Sequence, residues 1–101
     1  MIIYEITATV GSGGLAEEYE KYMLERHIPE LLETGFFSGA KLTRAGANRY
    51  RIQYEAPDRK ALDEYLATEA TRLRADFLAH FPADVEVSRE NWEVLQIWKK
   101  E

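Results

Sequence analysis

Pro29 restricts this chain more than any other single residue. It sits inside a helix-forming stretch, Tyr22-Met-Leu-Glu-Arg-His-Ile-Pro-Glu-Leu-Leu-Glu-Thr-Gly35. Proline has no N–H to donate, and its ring collides with the carbonyl four residues back, here that of Glu25. The preceding residue, Ile28, is pushed towards an extended backbone. A straight helix is therefore expected to kink at Ile28-Pro29. Pro29 suits the first position of a new short helix, and Gly35 suits a left-handed cap that ends it. His27 falls at this corner.

Strand and helix periods surround the corner. Ile2, Tyr4, Ile6, Ala8 and Val10 alternate with Ile3, Glu5, Thr7 and Thr9, the period of two of a half-buried strand. Gly11-Ser-Gly-Gly14 reads as a turn. It precedes a helix, as a phosphate loop does, but has neither the Walker lysine nor the G-x-G-x-x-G spacing. Leu15, Tyr19, Tyr22 and Met23 then fall at helical spacing, with Glu17, Glu18, Glu20 and Lys21 on the wet side. Residues 36–45 and 49–56 predict a hairpin through Gly46-Ala47-Asn48, where glycine and asparagine tolerate positive φ.

Asp58 is the expected N-cap of a second long helix. Its stripe is Leu62, Tyr65, Leu66, Leu73, Phe77 and Phe81, with a break near residues 68–71 and an end at Pro82. The last segment starts with Val85 and Val87 in phase. After Asn91 the large residues split between Trp92, Val94, Trp98 and Leu95, Ile97, which predicts a bulge or a strand that packs on something else. The order is βαββαβ: a single ferredoxin-like α+β domain over residues 1–101, with an antiparallel four-stranded sheet and both helices on one face.

The charge balance narrows the partners. Thirteen Lys+Arg against 18 Asp+Glu give a net charge of -5, the wrong sign for a nucleic-acid binder. The chain has no cysteine, which excludes disulfides, thiolate metal sites and cysteine nucleophiles. The first ten residues lack a basic n-region, and no window approaches the about 18 apolar residues of a membrane span. The expected setting is cytoplasmic and soluble, with no membrane partner.

The second face of the sheet is polar. It is expected to carry Glu5, Thr7, Thr9, Lys41, Thr43, Arg49, Arg51, Gln53, Glu55, Glu86 and Ser88, with Arg51 near Glu5 or Thr7 and Glu5 near Ser88. Such a face is either solvated and laced with weak ion pairs or shared by two chains as a wet interior for a polar or acidic ligand. RNA-recognition domains of this topology stack bases on aromatic residues of the open face. Here the tyrosines of the third strand point to the helix side, so no nucleic-acid binding is expected.

Four stretches, M-I-I-Y-E-x-T, H-I-P-E-L-L-E-T-G-F-F-S-G-A-K-L, Y-x-A-P-x-R-x-A-L-D-E-Y-L and L-R-A-D-F-L-A-H-F, resemble a family of small bacterial proteins known only as a domain of unknown function. The resemblance runs from Met1 to Leu95. It implies a branch of the dimeric α/β-barrel superfamily, in which two ferredoxin-like chains pack sheet to sheet. That superfamily includes monooxygenases, isomerases and plain binding modules. No catalytic motif of its enzyme branches can be placed on this sequence.

His27 leads the candidate side chains. At a helix C-terminus it is expected to cap, favoured when charged by the helix dipole and titrating near neutral pH. The sharper reading makes it a ligand or acid/base group. His80, before Phe81-Pro82, is expected to be structural, and two histidines without H-x-x-x-H spacing give no metal site. Arg72 and Arg74 carry forks suited to carboxylate or phosphate, though both are expected in solvent. Tyr22, Tyr54, Tyr65 and Trp92 line a pocket or, at these spacings, fill the core. The sequence thus predicts a homodimeric small-molecule-binding α/β barrel without a cofactor. The alternatives are a cofactor-free isomerase or monooxygenase-like enzyme using His27 as acid/base, and a pure interaction module.

Overall fold

In the computed structural model, which describes residues 1–11 and 14–101, the predicted order is realised with one addition. The elements are β1 (Ile2–Val10), α1 (Leu15–Tyr22), a π turn (Met23–His27), α2 (Ile28–Glu33), β2 (Gly39–Ala45), β3 (Arg49–Ala56), α3 (Arg59–Thr68), α4 (Ala70–His80) and β4 (Val85–Glu93). The strands form one antiparallel sheet in the order β2-β3-β1-β4. The turn expected at Gly11–Gly14 includes Ser12 and Gly13, which lie outside the described residues.

The alternation read in β1 sets both faces. Ile2, Tyr4, Ala8 and Val10 are buried, as are Tyr50, Ile52, Tyr54 and Ala56 of β3. The helices cover them with Tyr19, Tyr22, Met23, Leu31, Leu62, Tyr65, Leu73 and Phe77. Aromatic rings tie the layers together: Tyr19 meets Tyr50 at 4.9 Å between ring centroids, and Phe37 meets Tyr65 at 4.8 Å. Offset and edge contacts of this kind contribute about 0.5–1.5 kcal/mol each beyond their buried area.

The helix does not kink at Pro29. Ile28 stays helical at φ -63, ψ -47, and its N–H reaches the carbonyl of Met23, five residues back. The extended backbone expected at Ile28 is therefore not adopted. One extra residue in the turn widens it, which relieves the ring's clash with the preceding carbonyls and lets the chain pass into α2. Gly35 takes the left-handed conformation foreseen for it, at φ 83.

Other boundaries moved for local reasons. β2 starts at Gly39 rather than residue 36, because Phe37 turns inward and is buried. In the hairpin only Gly46 is left-handed, at φ 65. Asn48 instead binds β1, its Nδ2 donating to the Val10 carbonyl at 2.8 Å and its own carbonyl accepting from the Val10 N–H at 2.9 Å. Asp58 caps α3, its side chain accepting from the Ala61 N–H at 2.8 Å. The break falls at Glu69, within the predicted window.

No bulge interrupts β4. It keeps one register against β1 from Val10 opposite Val85 to Ile2 opposite Glu93. That register puts Ser88 opposite Thr7, and Glu5 opposite Glu90 rather than Ser88. The phase change after Asn91 has another cause: the chain outruns β1. Beyond Glu93, Leu95, Ile97 and Trp98 are 86%, 59% and 83% exposed.

Candidate functional site

The π turn decides what faces the sheet. It holds Met23 and His27 inward, and His27 is only 9% exposed. The expected helix-end cap is therefore overturned, because the helical backbone runs on past Pro29 and His27 never reaches an end. Its ring lies between Tyr22, at 5.6 Å and 27° between planes, and Phe77, at 5.8 Å. Burial pushes its pKa down from 6.5 to about 4; nearby Arg89 adds to this and Asp76 opposes it. At neutral pH the imidazole is uncharged, with one ring nitrogen donating and the other accepting.

His27 borders a cavity of about 30 Å³ between the helix layer and the sheet. The sheet supplies Ile6, Val87 and Arg89, and the helices supply Tyr19, Met23, His27, Arg74 and Phe77. Strand alternation puts Arg89 there, opposite Ile6 and in phase with Val85 and Val87. Arg74 arrives because α4 turns its buried stripe, Ala70, Leu73 and Phe77, towards the sheet. Its Nη2 donates to the Tyr4 hydroxyl at 2.8 Å.

Two polar atoms of this lining are buried without partners, Nδ1 of His27 and Nε of Arg74. A third orphan, the Tyr54 hydroxyl, sits deeper in the core. Buried polar groups are nearly always bonded, and an unmade bond costs about 1–3 kcal/mol. Both residues line the same void, where a polar guest would meet unmade hydrogen bonds.

The remaining candidates distribute unevenly. Tyr22 flanks His27 from outside and donates its hydroxyl to Oδ2 of Asp76 at 2.7 Å. Burial and that bond push the phenol's pKa up, while the same bond holds the Asp76 carboxyl below its ordinary range. Arg26 completes the cluster, its Nη2 3.0 Å from Oδ1 of Asp76. His80 closes α4 with its ring at the Asp76 carbonyl, 2.9 Å away. Among the described residues, no three His, Cys, Asp or Glu side chains are arranged to hold a metal ion.

Tyr54 and Tyr65 do not reach the cavity. Both pack around Tyr4 and Phe37 in the core, where burial raises their pKa values. Arg72 is exposed and paired with Glu69 at 2.9 Å. Trp92 stands on the opposite, polar face, its Nε1 donating to Oε2 of Glu5 at 3.2 Å. Glu5 also accepts from Gln53 at 3.1 Å and pairs with Arg51 at 3.5 Å. Alternation puts Trp92 on the other side of the sheet from the tyrosines, so among the described residues no one pocket gathers them all.

Arg89 was missed, and Arg74 was placed in solvent. The signal was present: Val85-x-Val87-x-Arg89 puts a charge in phase with core valines, and Arg74 lies three residues before Phe77.

Strand order, helix placement and register define a ferredoxin-like α+β protein. Its structure is similar to that of a variant of SnoaB, a cofactor-independent oxygenase from Streptomyces nogalater, with 17% identity over 98% of this chain and 97% of that one and a TM-score of 0.77. It is similar to a provisionally assigned antibiotic biosynthesis monooxygenase from Deinococcus radiodurans, at 15% identity over 100% and 99% of the chains and a TM-score of 0.71. An ethyl tert-butyl ether (EthD) family protein from Bacillus halodurans gives 12% identity, 94% and 100% coverage and a TM-score of 0.71. No curated protein sequence matches the chain. The model of the Domain of unknown function (DUF4286) family matches residues 1–95, and the chain belongs to that family. Among the described residues, no helix is long and apolar enough to cross a membrane.

Proposed function

We propose that this protein is a small-molecule-binding module acting as a homodimer, and that its ligand enters the cavity between the helix layer and the sheet. The observation that carries this reading is the pair of buried, unpartnered atoms at one void, His27 Nδ1 and Arg74 Nε. The polar face of the sheet is left to join two copies. It also offers nucleic acid little: among the described residues of its strands, Trp92 is the one aromatic side chain on it, and a chain of net charge -5 gains little from counterion release.

Binding is preferred to catalysis on chemical grounds. A general base works best with a pKa near the operating pH, and His27 at about 4 is a weak base there. As a hydrogen-bond partner a neutral imidazole is fully competent. The similarity to a cofactor-independent oxygenase keeps an oxygenase with His27 as base as the alternative.

Native mass spectrometry of the purified protein, paired with a ligand-shift melt screen of wild type and His27→Gln, tests the reading. A co-purified or screened compound whose binding is lost in His27→Gln is the expected result. Binding unaffected by that substitution, or a compound seated on the sheet's polar face, would refute the cavity as the site.

A further inference from the structure

The cavity's charge specifies its ligand further than its position does. Arg26, Arg44, Arg51, Arg59 and Arg72 each have a carboxylate oxygen within 3.5 Å. Among the described residues Arg49, Arg74 and Arg89 have no carboxylate partner, and Arg49 lies on the polar face of the sheet in phase with Arg51, which leaves Arg74 and Arg89. These two line the same void, one from α4 and the other from β4. In a chain with an excess of acidic residues, converging guanidinium groups without counter-charge leave that neutralisation to a ligand.

Size and walls narrow the anion. About 30 Å³ is one water's share of liquid volume. It takes one oxygen of an anion, so the body of any larger ligand lies beyond it against the surrounding wall. Met23, Phe77 and Val87 make the surrounding wall apolar. The more exposed Arg89 marks the mouth, and the buried Nε of Arg74 marks the floor.

We infer that the ligand is a small monocarboxylic acid with an apolar body, its carboxylate bridging Arg74 and Arg89 beside the His27 ring. This rests on the cavity-binding reading above. Arg74 supplies a fixed, buried N–H, already braced by its bond to Tyr4. Arg89 supplies the free fork suited to a carboxylate edge. Uncharged His27 adds one directional hydrogen bond and no repulsion between cations.

The test uses the whole chain with isotope-labelled histidine. Acetate, hexanoate, benzoate, benzamide and inorganic phosphate are titrated while the His27 imidazole resonances are followed. Hexanoate or benzoate is expected to shift them saturably, with phosphate and benzamide at least roughly tenfold weaker, the value of a charge-assisted bond. Arg89→Gln, at an exposed position, is expected to weaken the acid by roughly the same factor and Arg89→Lys by less, both with wild-type melting temperatures. Benzamide or phosphate binding as tightly as the acids, or Arg89→Gln binding them unchanged, would overturn the carboxylate assignment and leave the cavity reading standing. Silence of the His27 resonances to all five probes would overturn the assignment. Native mass spectrometry showing no bound molecule as well would overturn both.

Discussion

At the scale of single residues, His27 carries the clearest consequence. Its folded pKa lies below its unfolded value, about 4 against 6.5. Between those pH values the unfolded chain binds a proton that the folded chain refuses, so stability rises with pH across the interval. The neutral-imidazole contribution is complete above pH 6.5 and is lost as the pH falls towards 4. The loss amounts to about 3 kcal/mol, one pKa unit being about 1.4 kcal/mol. Urea melts of wild type and His27→Gln at pH 7.5 and 4.5 check this: the variant is expected to lose less stability over the interval by about that amount. Equal losses would place His27 in water. Asp58→Ala is a simpler case, because among the described residues the cap bond to the Ala61 N–H is the one hydrogen bond of its side chain. It is expected to lower stability by about 1 kcal/mol without altering ligand binding.

At the scale of elements, the sequence was legible wherever one rule acted alone. Asp58, Gly35 and the alternation in β1 each followed a local preference that nothing opposed. Pro29 was misread because two rules acted together. Proline forbids a straight α-helix, yet a kink would have pulled Met23 and His27 from the core, and the extra residue of a π turn satisfied both demands. Arg89 was hidden differently, since its phase with Val85 and Val87 meant the helix-facing side of the sheet while its charge suggested the polar side. If Pro29 and the π turn are two halves of one device, removing one half should hurt more than removing both. Deleting Glu25, an exposed residue of the turn, is expected to restore regular α spacing and set Pro29 against its preceding carbonyl. That costs about 3 kcal/mol. Adding Pro29→Ala to the deletion should recover most of the loss, and chemical denaturation of the three variants measures it. A double variant no more stable than the deletion alone would show that the π turn serves something other than the proline.

At the scale of the whole molecule, the isolated chain exposes more surface than its mass warrants. Its accessible area is 6749 Å², against about 5900 Å² for a compact monomer of 11.7 kDa. Its radius of gyration, 14.1 Å, likewise exceeds the about 13 Å of a compact chain this long. The excess area is close to the about 800 Å² that one partner contributes to a standard interface. Much of what stands in solvent is the segment after β4, where Leu95, Ile97 and Trp98 find nothing to cover them. Trp92 and Ile3 add an apolar pair at the same end of the sheet's polar face, opposite each other across β1 and β4. A second copy laid sheet to sheet would receive that segment. Burying one large apolar side chain contributes about 1.5–3 kcal/mol, so three of them bear strongly on a dimer's affinity. Sedimentation velocity at tens of micromolar, a working range of about 10⁻⁵ M set by the affinity scale, is expected to show a dimer. A chain ending at Val94 should dissociate at least about 100-fold more readily. It should still fold, since β4 and its register with β1 are complete before that point. A dimer of unchanged affinity in the shortened chain would remove the segment from the interface. A wild-type monomer would remove the dimer itself and return the polar face of the sheet to water.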